Sequence, residues 1–204
     1  MLGLGAIFTL FFVTLGPFKL LGPFAQQTRE LSPAALRGVA VRAFIVGLAA
    51  VIVAGYLGTA LAAKWSISIP AIEIAAGLIL LLVVVRVVMA PYEPPQALPP
   101  LPASSMAAAL RLTFPLVVTP YGVAAVIAVL DLAVDGKTVV SVYVMLIVVM
   151  LLNLLAMLFV REIMRGPVLL VLQVLGAVLG VLQFALAIQI IIRGLRDLNI
   201  LSPA

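Results

Sequence analysis

Seven carboxylates are all the acids in the chain, Glu30, Glu73, Glu93, Asp131, Asp135, Glu162 and Asp197, and there is neither a His nor a Cys. Those absences exclude His/Cys metal sites, thiol redox chemistry, disulfides and every triad that needs an imidazole base. Only Asp131 and Asp135 stand one helical turn apart, at a helix end, so a carboxylate metal cage or a general-acid pair has no place to form. No metal and no other cofactor is expected, nothing resembles a nucleophile with its base, and the chain reads as a non-enzyme. Among the few polar groups within or beside apolar stretches are Lys19, Glu73, Thr119, Tyr121, Asn153, Gln183 and Gln189. Such sparse groups can bind a solute or bridge helices.

The elements that must position them follow from composition. Of 204 residues 66% are hydrophobic and 9% charged, with a mean hydropathy of +1.38. A soluble domain of this size has too little interior for so many Leu, Val, Ile and Ala, so the remainder must face lipid. The twelve Lys and Arg that leave a net charge of +5 are scattered singly. That pattern suits cations anchoring loops at anionic headgroups and excludes nucleic acid as a partner.

A bilayer core of about 30 Å takes roughly 20 apolar residues as helix. Uncharged windows run over 1–18, 43–63, 112–130, 138–160 and 166–192, and 67–89 is equally apolar apart from Glu73 and Arg86. The expectation is an all-α, polytopic membrane protein with six transmembrane helices. No basic residue precedes Lys19, so the first segment is read as retained. With both termini outside, Lys19, Arg29, Arg37, Arg42, Arg86, Arg111, Arg161 and Arg165 fall inside, and Lys64, Lys137, Arg193 and Arg196 outside. This bias places both termini on the periplasmic side.

Punctuation divides the chain. Ser32-Pro33 is a helix start, Asp135-Gly136 a tight turn, and Gly166-Pro167 a break before the last span. Six prolines between Pro91 and Pro102 make an extended strap. Residues 1–90 then form a first three-helix repeat, 91–105 a Pro-rich linker and 106–204 a second three-helix repeat. An odd number of spans per half makes the second half an inverted repeat of the first. The first helix of each half is interrupted, at Gly16-Pro17 with Gly22-Pro23, and at Pro115 with Thr119-Pro120-Tyr121-Gly122. Paired breaks in inverted halves point to a substrate site, because broken backbone offers unpaired amides and carbonyls at membrane depth. A packing kink is the plainer alternative. The candidate substrate-binding residues are Gly16, Pro17, Thr119, Pro120, Gly122 and Asn153, and bulk at Gly16 or Gly122 is expected to plug the site.

Each intramembrane polar group carries two readings. Glu73 either titrates in a coupling step or is an exposed or paired residue near the outer surface. Lys19 either meets an anionic group or snorkels to the inner interface. Asn153, Gln183 and Gln189 bridge helices or contact solute. Gly176 and Gly180, with Ala76 and Gly77, suggest that the third and sixth helices approach closely and pack centrally. Trp65, Tyr92 and Tyr143 fit interfacial anchoring.

The run Trp65-Ser-Ile-Ser-Ile-Pro-Ala-Ile-Glu-Ile-Ala-Ala-Gly-Leu-Ile79, followed by Arg86, resembles the third helix of the MarC family of bacterial inner-membrane proteins. Gly180, Gln189 and Gly194 are similar to the glycine, glutamine and glycine of that family's last helix, and length, span number and linker agree. The resemblance implies a transporter-like fold in the bacterial inner membrane, and one branch of the family is associated with export of alanine and glycine. The chain departs from the pattern at the first break. Gly16 stands for an acid or amide, Lys19-Leu20 for Gly-Asn and Gly22 for a proline, and the Ala-Gly-Pro run of the fourth helix is replaced around Tyr121-Gly122-Val123. Glu73 stands where the family is commonly basic.

The resulting expectation is a carrier of a small neutral solute that works by alternating access between two inverted halves. The alternative is a non-transporting structural or accessory subunit that keeps the fold and has lost the polar site. The expected partners are the lipid bilayer, a small solute, and either a second copy of the chain or another membrane protein.

Overall fold

The computed structural model describes residues 4–89, 101–102, 104–131, 133, 135–165 and 167–200, with the side chains at 6, 19, 83, 86–89, 167–173, 175–177 and 179 left outside the description. Most of the Pro-rich linker, with Tyr92, therefore lies outside the described residues, as do Gly166 and the side chains of Lys19 and Arg86. Among the described residues every regular element is helical: α1 (Leu4–Leu15), α2 (Phe18–Gln27), α3 (Pro33–Lys64), α4 (Ile69–Met89), α5 (Ser105–Leu112), α6 (Pro120–Asp131), α7 (Gly136–Leu158), α8 (Val160–Ile163) and α9 (Pro167–Asp197). A wide irregular turn, Thr113–Val117, separates α5 from α6.

Three helical stretches among the described residues are long and apolar enough to cross a membrane, Ile7–Gln27, Pro33–Lys64 and Gly136–Leu158. The α5–α6 pair, bent by 64° at its break, makes a fourth if it counts as one span. The remaining two expected spans fall on α4 and α9, of 21 and 31 residues. The first stretch extends past the expected end at Phe18 and takes in the break and α2. The Gly16-Pro17 break thus interrupts a span rather than closing one.

Local chemistry explains the helix starts. Ser32 is the N-cap of α3, its Oγ accepting from the Ala35 amide at 3.2 Å, with Pro33 in the first turn. Asp135 caps α7, its Oδ1 accepting from the Thr138 amide at 2.7 Å and its Oδ2 from the Thr138 hydroxyl at 2.8 Å. Those two donors hold the Asp135 carboxyl below the usual carboxylate range.

Packing follows the small residues. α3 buries Ala43, Gly47, Val51 and Gly55, every fourth residue, and leaves Val41, Ile45, Val53 and Tyr56 outward. A helix apolar on all sides with a small-residue ridge inward is the membrane pattern. The larger buried cluster draws on α1, α2, α3, α5, α6 and α7, with Phe11, Phe24, Leu112, Val126 and Met150 at its centre. The most extensive helix–helix contact is between α4 and α9, as expected for the third and sixth helices. That pair is not central among the described residues: Leu80, Val84 and Ala187 form a smaller separate cluster with Tyr121 of α6. Close approach occurs at Gly77, as expected on the third helix, and on the sixth helix at Gly194 rather than at Gly180, the surroundings of Gly176 lying outside the described residues. A Cβ on Gly77 would lie 2.6 Å from Ile191 Cγ1 and one on Gly194 2.8 Å from the Pro70 carbonyl oxygen, whereas Gly180 has open space there. Gly77 meets Ala187 and Ile191 while Gly194 meets Pro70 and Ile74, so α4 and α9 run antiparallel. Trp65 is exposed at the end of α3 and Tyr143 is half-buried against the core.

Candidate functional site

The helical ladder of α1 runs as far as the Gly16 amide, which donates to the Phe12 carbonyl at 3.0 Å. Pro17 has no N–H, so the Val13 carbonyl loses its partner one turn back, and the change of direction frees the next carbonyls too. Side chains from three other elements replace those partners. Gln183 Nε2 of α9 donates to the Val13 carbonyl at 2.9 Å, Thr119 Oγ1 to the Thr14 carbonyl at 3.3 Å, and Asn153 Nδ2 of α7 to the Leu15 carbonyl at 2.7 Å. Three consecutive carbonyls are thus clasped from three sides. Gly16 is required locally, because a Cβ there would collide with the Phe12 carbonyl.

The second break meets the first. Val118 is extended, and Thr119 starts α6 by accepting the Gly122 amide on its Oγ1 at 3.1 Å, with Pro120 in the first turn. The Thr119 hydroxyl therefore caps one broken helix and donates to the other. Gly122 lies under Leu15: a Cβ there would stand 2.8 Å from Leu15 Cγ. Asn153 is wholly buried, and its Oδ1 has no hydrogen-bond partner.

The structure thus brings Gly16, Pro17, Thr119, Pro120, Gly122 and Asn153 into one region, but that region is filled. Bulk at Gly16 or Gly122 would displace backbone and Leu15 rather than plug an opening. The open space lies beside it, as a cavity of about 210 Å³ between α1, α4, α6 and α9. Thr14 from the end of α1 and Tyr121 from the start of α6 line it, so each break contributes one wall. Its other walls are apolar, among them Leu10, Ala76, Leu80, Ala125, Val129 and Ile190.

Glu73, Gln189 and Arg193 complete the lining. The Glu73 carboxylate is 5% exposed, so the expected exposed surface role does not hold, while the expected pairing does. Its Oε1 lies 3.4 Å from Arg193 Nε, and its Oε2 is buried with no hydrogen-bond partner. Arg193 is partly exposed and also lies 3.9 Å from Asp197 Oδ2. A carboxylate at membrane depth stays charged only when paired. Of the candidate site residues, Glu73 lines the cavity, together with Tyr121 and Gln189 from the wider set of intramembrane polar groups, while the Lys19 side chain lies outside the described residues. Arg193 was assigned only to the outer flank, although the i, i+4 spacing of Gln189, Arg193 and Asp197 on a last helix facing Glu73 is the signal that could have found it.

What this arrangement can do is bind. A neutral ion pair with one unsatisfied carboxylate oxygen sits against apolar walls, and the cavity exceeds the roughly 150 Å³ of an apolar cavity that takes up benzene. A family model for MarC family integral membrane protein matches residues 3–199. No curated protein and no solved structure matches the chain.

Proposed function

The chain belongs to the MarC family of integral membrane proteins, and from that premise we propose that it is a carrier of small neutral amino acids or a closely similar solute in the bacterial inner membrane. The observation that supports this reading is the cavity that Thr14 and Tyr121 share with the Glu73–Arg193 pair. A zwitterion matches that pair without adding net charge. Its ammonium replaces the missing partner of Glu73 Oε2, its carboxylate shares the Arg193 guanidinium, and its side chain occupies the apolar walls. The two broken helices then serve as the bistable element: six spans in two inverted halves, with periplasmic termini, rock about the carbonyl clasp and expose the cavity to alternate sides. Asn153, Gln183 and Thr119 hold that clasp, and no bond-making chemistry is required.

The second reading, an accessory subunit that does not transport, draws on the filled meeting point of the breaks and on the outward apolar side chains of α9, Val174, Val178, Val181 and Leu182. Counterflow of radiolabelled alanine and glycine in proteoliposomes separates the two. The carrier reading expects saturable uptake, abolished by Ala125→Leu, which fills the cavity. Glu73→Gln is expected to lower it about tenfold or more, because a hydrogen bond to a charged group is worth about 1.5–3 kcal/mol. No uptake from folded protein supports the accessory reading.

A further inference from the structure

A second cavity of about 230 Å³ lies near the other end of α3, a helix of 32 residues and so about 48 Å long. It forms where the start of α3 meets the end of α7 and the segment beyond it. Arg37, Arg161 and Arg165 line it together with Glu162, over a floor of Pro33, Leu36 and Leu158. Three guanidinium groups against one carboxylate leave a net +2. Arg161 forms a fixed wall, since its Nη2 donates to the Leu31 carbonyl and, at 3.5 Å, to that of Thr28. Neither Arg37 nor Arg165 makes an ion pair among the described residues. Like charges gathered with only partial compensation favour an anion among them.

Position says which anion. Pro33 begins and Leu158 ends two helices long and apolar enough to cross a membrane, and the charged residues Arg37, Arg42, Arg161 and Arg165 bound their uncharged windows at this end, which puts the cavity at the polar border of the bilayer. On its hydrocarbon side the flanking helices turn apolar residues outward, Val41 and Ile45 on α3, Leu151 and Leu155 on α7, and Phe159 just beyond. A ligand that fits both surfaces joins an anionic head to apolar chains. We propose that this cavity binds the phosphodiester headgroup of an anionic phospholipid, with Arg37 and Arg165 gripping the phosphate and the acyl chains lying along α3 and α7. Guanidinium forks match phosphate oxygens in pairs, and basic pockets between membrane helices suit such headgroups. The site shares no residue with the Glu73 cavity and does not depend on transport.

The test is thermal unfolding of the purified full chain in neutral detergent, titrated with phosphatidylglycerol, phosphatidylcholine or inorganic phosphate. Phosphatidylglycerol is expected to raise Tm in a saturable, salt-sensitive way, and the other two are not. Each basic residue near an anionic lipid surface is worth about 5-fold in affinity, so Arg37→Gln with Arg165→Gln should weaken the apparent affinity about 30-fold. Both residues are exposed, so the lipid-free Tm should stay near that of the native chain. Arg29→Gln, on the same end of the molecule but outside the cavity, should retain the lipid response. An equal response to phosphatidylcholine, an equal response to inorganic phosphate, a lipid response that survives in the double variant, or its equal loss in Arg29→Gln would each overturn the proposal.

Discussion

Asn153 shows how one polar side chain at membrane depth can be read in two ways from sequence and in one way from contacts. Its amide donates to the Leu15 carbonyl, which the break at Gly16-Pro17 has deprived of a helical partner. That assigns it to the clasp and not to the cavity wall, from which it is absent. Asn153→Leu keeps the volume and removes the donor, so it should cost about 1 kcal/mol, the size of an interhelical hydrogen bond in a bilayer. Reversible unfolding in mixed micelles reads that loss. In counterflow the same variant should keep the KM of the native chain, whereas a KM raised tenfold would make Asn153 a solute contact. Sequence placed this residue in mid-span. Which of its two partners it takes depends on a carbonyl 138 residues away.

Helices were legible wherever local chemistry is strong. Ser32-Pro33 starts α3 as its side chain and φ preference dictate, Pro17 and Pro120 mark the two breaks, and Asp135-Gly136, expected as a tight turn, instead supplies the N-cap and first residue of α7. Pairing of helices was legible in part. The third and sixth helices do pack together, through Gly77 as expected and through Gly194 rather than Gly180, because a small-xxx-small spacing arises by chance in a chain this rich in Gly and Ala. Gly77→Val and Gly194→Val should each destabilise by about 1–3 kcal/mol, since the added atoms meet Ile191 and the Ala187 carbonyl, or Ile74 and the Pro70 carbonyl. Gly180→Ala should leave stability unchanged. Unfolding midpoints of the three variants in one detergent test this, and equal effects at Gly180 would move the contact back to the expected pair.

For the molecule as a whole orientation has a direct readout, because the native chain contains no Cys. Lys64→Cys at the exposed end of α3 and Arg29→Cys beyond α2 each give a single thiol at opposite ends of the bundle. The charge bias expects a membrane-impermeant maleimide to label Lys64→Cys on intact spheroplasts and Arg29→Cys only after permeabilisation. The reverse pattern would invert the topology and put the arginine-lined cavity on the periplasmic side. The Glu73 cavity would then face the cytoplasmic end, and the direction of solute entry in the carrier reading would reverse with it.

Composition alone determined that this chain lives in lipid, since no arrangement of 204 residues at 66% hydrophobic could hide them all from water. Proline, glycine and capping residues set where helices begin and break, because those effects act within a turn of the residue itself. Only the tertiary structure decided what fills the breaks and where space remains. The carbonyls freed at Gly16-Pro17 are satisfied by residues from the other half of the chain, and the pairing of Glu73 with Arg193 joins positions 120 residues apart. Such contacts depend on how helices of nearly uniform apolarity pack. Several helix faces are equally able to bury their side chains, so periodicity cannot choose among them.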